Sequence, residues 1–140
     1  MIRVSELCRL GGLLAEMPRP VWAPLLAAKG SVLPMLILLF GGHALCDFPW
    51  QGQFLSDAKN HRKPSVGEHW ARALFAHCMI HCTMVYLVTG FVSLAIAELV
   101  IHLVADYAKS DGRISSTQDQ AIHYGCKLLW AFIACGVVSA

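Results

Sequence analysis

RALFAHCMIHCTMVYLVTGFVSLAIAELVIHLVAD, residues 72–106, carries one formal charge between its two end residues, Glu98. As a single helix it would rise about 50 Å, at about 1.5 Å per residue, and would overshoot a bilayer hydrocarbon core of about 30 Å. The stretch should therefore fold back on itself. Thr89 and Gly90 are the natural place for the turn, because glycine takes the left-handed backbone that ends helices without a side-chain clash. The spacing predicts one helix over about 70–88 and a second over about 91–108.

The same reading extends to both sides. SVLPMLILLFGGHALCDF, residues 31–48, reads as a helix over about 32–48 that Pro49 ends, since a residue before proline is pushed out of the helical region. SSTQDQAIHYGCKLLWAFIACGVV, residues 115–138, begins with strong capping residues and predicts a helix over about 117–138. Residues 49–69 and 109–116 are polar connections with Pro, Gly and Ser punctuation. Only 14% of the chain is charged and 56% is hydrophobic, against roughly 25% charged in a soluble domain. The fold class that follows is all-α: an integral membrane bundle of four short transmembrane helices over residues 31–140. Residues 1–30 interrupt their apolar positions with Arg3, Glu6, Arg9, Glu16 and Arg19, which reads as an amphipathic or interfacial segment and not as a cleaved signal peptide.

Each predicted helix carries two metal-ligand types four residues apart: His43 and Asp47, His77 and His81, His102 and Asp106, Asp119 and His123. Residues i and i+4 share a helix face. In an up-and-down bundle the ends that bear these pairs all lie on one side, so eight candidate ligands converge in one layer. Polar residues within spans face the bundle interior, and four-helix bundles build metal sites from such positions. Five histidines and three aspartates suit Zn, Mn or Fe better than an all-oxygen ion such as Ca²⁺. One or two divalent transition-metal ions would account for eight ligands, with the remainder supporting. The blander account is a set of interhelical hydrogen bonds, with Asp119 capping beside Ser116 and Asp106 paired to Lys109.

Other residues give weaker signals. Glu98 lies one turn before His102 and reads as an orienter of that imidazole, a general base, or a paired carboxylate. Lys127, one turn after His123, either snorkels towards headgroups or meets a phosphate. Gln51 and Gln120 flank the pairs and can donate hydrogen bonds. Cys78, Cys82 and Cys126 read as packing thiols, and His61 and His69 as surface residues. Lys59, Arg62 and Lys63 form a small basic group suited to anionic headgroups. A net charge of +2 with scattered basic residues argues against nucleic acid.

The segments HALCDFPWQ, HCMIH, HLVADYAKS and DQAIHY together resemble the pattern of the bacterial and phage membrane proteins grouped as domain-of-unknown-function family 3307. The resemblance covers about residues 33–135. It implies a small, multi-pass protein of the bacterial inner membrane and supplies no activity. A looser likeness, through apolar helices bearing His-x-x-x-Asp, is to membrane-bound metal-dependent hydrolases.

The function expected from these readings is a metal-dependent membrane hydrolase of an amphiphilic or phosphoester substrate, with Asp47 or Asp106 as general base. The alternatives are a non-enzymatic subunit of a larger membrane complex or a homo-oligomer, in which the polar layer sets helix register, and a haem-binding electron carrier. The cations at Lys59, Arg62, Lys63, Arg72, Lys109 and Arg113 favour the cytoplasmic side for the site, while Arg3, Arg9, Arg19 and Lys29 ahead of the first helix argue for the opposite orientation.

Overall fold

The computed structural model describes residues 31–63, 67 and 69–139. The segment expected to be interfacial, 1–30, lies outside them, as does Cys8. Among the described residues there are five helices and no strand: α1 (Val32–Asp47), α2 (Gly52–Ala58), α3 (Trp70–Thr89), α4 (Val92–Ser110) and α5 (Ser116–Ser139). The fold is all-α, and the four long helices fall where the sequence puts them.

The central turn forms as glycine chemistry requires. Gly90 has φ +76° and its N–H donates to the Tyr86 carbonyl at 2.7 Å. Thr89 secures the corner: its hydroxyl donates to the Val85 carbonyl at 2.8 Å and accepts from the Phe91 N–H at 3.2 Å. α1 stops at Asp47, two residues before Pro49. The connection after it contains a helix that its polar composition does not suggest. Gly52, at φ +59°, turns the chain by 80°, and α2 follows with Gln53 donating to Asp57 one turn on, at 3.0 Å.

α5 starts with a capping box, one residue earlier than expected. Ser115 accepts from the Gln118 N–H at 3.2 Å, and Gln118 accepts from the Ser115 N–H at 2.8 Å. Asp119 is thereby released from the capping role that its distance from Ser116 suggested, and it faces inward.

The long helices close into a ring, α1 against α3, α3 against α4, α4 against α5, and α5 back against α1. One half of the interior is apolar: Met35, Leu39, Val85, Val88, Leu94, Trp130 and Ala134 form a continuous buried cluster around the end that holds the Gly90 turn. The other half is polar. Gly42 sits between them, where a Cβ would lie 2.7 Å from Met84 Cγ, so its missing side chain lets α1 and α3 approach beside His43.

The exterior reverses the usual arrangement. Val92, Ile96, Val100 and Val104 form a stripe along α4, each more than half exposed, and Leu33, Ile37, Phe75, Leu87, Leu129 and Phe132 are exposed on the other three long helices. Meanwhile His43, His77, His81, His102, Asp106, Asp119, His123, Glu98 and Lys127 are buried. Among the described residues, α3 alone is long and apolar enough to cross a membrane, and α1 with α2 qualifies only as one bent pair.

Candidate metal centre

All eight residues of the four i,i+4 pairs lie in the polar half of the bundle. Seven of them fall into two groups, and His43 stands outside both. One donor atom from each of Asp47, His77, His81 and His102 lies within 4.8 Å of the other three. The second group is Asp106, Asp119 and His123, equally close; Glu98, His102 and His123 also meet this limit.

The first group has the better geometry for an ion. His81 Nε2 is 3.0 Å from Asp47 Oδ1, His77 Nε2 is 3.4 Å from the same oxygen, and His77 Nε2 is 3.2 Å from His102 Nε2. A tetrahedron with metal–ligand bonds of about 2.0–2.1 Å has edges of about 3.3 Å. His77 Nε2 also has Asp106 Oδ2 at 3.5 Å. A single ring nitrogen carries either one hydrogen or one lone pair and cannot serve three such neighbours by hydrogen bonding.

Proton placement around this group is self-consistent. His102 Nδ1 faces Glu98 Oε1 at 3.1 Å, so it carries the hydrogen and leaves Nε2 with a free lone pair. His81 Nδ1 faces His43 Nδ1 at 3.3 Å, His43 Nε2 faces Gln120 Oε1 at 3.3 Å, and Gln120 Nε2 donates to Asp47 Oδ2 at 2.8 Å. Giving His81 the Nδ1 hydrogen and His43 the Nε2 hydrogen makes every contact in that chain a donor–acceptor pair. It also leaves His81 Nε2 and Asp47 Oδ1 turned to the common centre. His43 thus supports the group together with Gln120, outside the set of four.

Lysines decide the rest of the electrostatics. Lys59 donates to Asp106 at 2.7 Å and to Gln51 at 2.6 Å; Lys109 donates to Asp119 at 2.7 Å; Lys127 donates to Glu98 at 2.5 Å. Of the four carboxylates in the layer, Asp47 alone has imidazoles and an amide where the others have an ammonium. Three expectations are corrected here. Lys59 does not stand with Arg62 and Lys63 as a headgroup attractor: it is 7% exposed and points inward because buried Asp106 needs a counter-ion. Lys127 neither snorkels nor waits for a phosphate, since it is 1% exposed and held by Glu98. The pairing of Asp106 with Lys109 is replaced by Lys59 with Asp106 and Lys109 with Asp119.

Glu98 is the hub of the middle of the bundle. It accepts from His102, from Lys127 and, at 2.8 Å, from Trp130 Nε1, the arrangement expected of a carboxylate that orients a ligating histidine. Cys46, Cys78, Cys82, Cys126 and Cys135 are not joined in disulfides among the described residues, and none belongs to these groups.

A clamp closes the polar end from outside. His61 stacks on Tyr107 with ring centroids 4.4 Å apart and contacts Asp111 Oδ1 at 3.1 Å, so it is more than an ordinary surface residue. Arg62 and Arg113 also donate to Asp111. Hydrogen bonds from Arg62 and then His61 hold the Asp111 carboxyl well below the usual carboxylate range, at about 2. Because the folded value is the lower one, the clamp contributes above about pH 4, the unfolded value for aspartate, and is lost as pH falls towards 2.

Comparison with known proteins bears on this geometry through the sequence that builds it. The family described as protein of unknown function, DUF3307, matches residues 35–136. The chain belongs to this family. The match spans all four i,i+4 pairs, Glu98 and the three lysines, so the whole polar layer lies inside the family domain. No curated protein and no solved structure matches the chain.

Proposed function

We propose that this DUF3307 protein is a multi-pass protein of the bacterial inner membrane that binds one divalent transition-metal ion, Zn, Mn or Fe, through Asp47, His77, His81 and His102. The observation that carries the reading is the convergence of those four donors from three helices, on the one carboxylate of the layer that lacks a lysine. Asp47 ends α1, where the helix macrodipole disfavours an anion, and a cation there reverses the sign.

The membrane part of the reading rests on the inverted distribution of residues. α4 bears Glu98, Asp106 and Lys109, which make it a poor span by composition. Yet Glu98 and Asp106 are buried in the bundle, and what α4 presents outward is the Val92, Ile96, Val100, Val104 stripe. Lipid is the solvent that such a surface fits.

Hydrolysis of an amphiphilic phosphoester or acyl substrate is the chemistry this site would support. An ion held by Asp47, His77, His81 and His102 would lower the pKa of a bound water towards about 7 and would polarise the scissile group. Asp106, 3.5 Å from His77 and held in place by Lys59, is the carboxylate placed to take a proton, while Asp47 acts as ligand. The layer lacks a slot for haem among the described residues, since the imidazoles of His81, His102 and His123 pack with centroids 3.9 Å apart.

Two measurements test the proposal. The protein should stay with the membrane through alkaline carbonate washing, and elemental analysis should find about one ion per chain; release by carbonate or the absence of stoichiometric metal removes the corresponding half. A stoichiometric protein partner without metal would support the alternative, a structural subunit. Replacing Glu98→Gln together with Lys127→Met strands no buried charge, and should weaken ion binding about 10–100-fold while the fold persists, as read by competition with a chromophoric chelator.

A further inference from the structure

α2 is a short helix with two unlike sides. Lys59, the residue after it, reaches inward to Asp106. On the outside, Phe48 and Phe54 are 70% exposed and Trp50 is 56% exposed, a concentration of large aromatic surface within seven residues. The 80° bend from α1 sets α2 across the bundle axis, level with the polar layer. Arg62, Lys63 and Arg113 are exposed around the same end of the bundle.

Trp50 also heads an open apolar groove of about 420 Å³, lined further by Met79, Ile80, Thr83, Met84 and Leu87 on α3. Residues 79 to 87 cover about 12 Å of helix rise, so the groove runs along α3 and away from the polar end. Its shape suits an acyl chain lying parallel to the helices. Aromatic rings favour the headgroup level of a bilayer, and exposed cations attract anionic headgroups there.

We infer that α2 lies in the headgroup layer on the side of the polar layer, with Phe48, Trp50 and Phe54 inserted among phospholipids, one acyl chain of which occupies the groove beneath Trp50. This rests on the membrane reading above and adds to it. α2 becomes an in-plane anchor that links the lipid surface to the Lys59–Asp106 pair, where four spans alone would leave it a free loop.

The test is photo-crosslinking of the full chain reconstituted in vesicles of phosphatidylcholine and phosphatidylglycerol. Photoreactive p-benzoylphenylalanine replaces Phe54 in one preparation and Val100, on the outward stripe of α4, in another. After irradiation, mass spectrometry should find the mass of one phospholipid added to the peptide 30–59 in the first and to the Val100 peptide in the second. Lipid at position 100, with no adduct or an adduct to another segment of the chain at position 54, overturns the inference and leaves the spans intact. Absence of lipid at both positions overturns the membrane reading and the anchor with it.

Discussion

Asp47→Ala is expected to abolish ion binding, whereas Asp119→Asn should leave about one ion per chain. Both residues belong to i,i+4 pairs with histidine, and the sequence treats them alike. Their surroundings do not. Asp47 Oδ1 contacts His81 and His77, and its other oxygen is held by Gln120. Asp119 is already neutralised by Lys109 at 2.7 Å, so a second dication there would meet an ammonium. His77→Ala and His102→Ala should behave like Asp47→Ala, with metal content near the blank in elemental analysis. Asp119→Asn costs little, because Lys109 is 35% exposed and can turn to water. If Asp119→Asn emptied the site as completely as Asp47→Ala, the layer would hold a shared dinuclear centre and the division drawn above would fail.

The second large effect is expected at Lys127. Lys127→Met leaves Glu98 charged and 1% exposed with its counter-ion gone. Breaking a buried pair from one side costs about 3–5 kcal/mol. His102 and Trp130 still donate to Glu98, which puts the loss at the lower end of that range. At about 2–4 °C per kcal/mol, the melting temperature in detergent should fall by roughly 10 °C. Adding Glu98→Gln should restore part of it, because the stranded charge disappears while the single amide oxygen still accepts from one of His102 and Trp130, which donate to different Glu98 oxygens. A double variant no more stable than Lys127→Met would show that Glu98 and Lys127 are not coupled.

These two experiments bear on different parts of what the sequence makes legible. The helices and the depth of the polar layer follow from periodicity and from one length argument, that residues 72–106 are too long for a single span. The eight pair residues meet because i,i+4 spacing and antiparallel order leave them nowhere else to go. Which of them faces the common centre is different, since that depends on ring orientation and proton placement, and His43 differs from His81 in neither spacing nor residue type. The inward reach of Lys59 is hidden in the sequence for a related reason: its partner Asp106 is 47 residues away, reached only after α2 turns the chain. Lys127 was within reach. Glu98 lies one turn before His102, Lys127 one turn after His123, and antiparallel helices put those two positions at the same depth.

The apolar cluster around Met35, Leu39, Val85 and Val88 gives the molecule a sidedness. The layer of imidazoles has this packed apolar cluster beneath it among the described residues. Asp47, 11% exposed and held by Gln120, lies at the opposite end of the bundle from this packing. A solute could not be passed from one end of the helices to the other without dismantling the packing that holds them together. On the proposed membrane reading, an ion held at Asp47 exchanges with one side of the bilayer only, the side on which the polar layer lies.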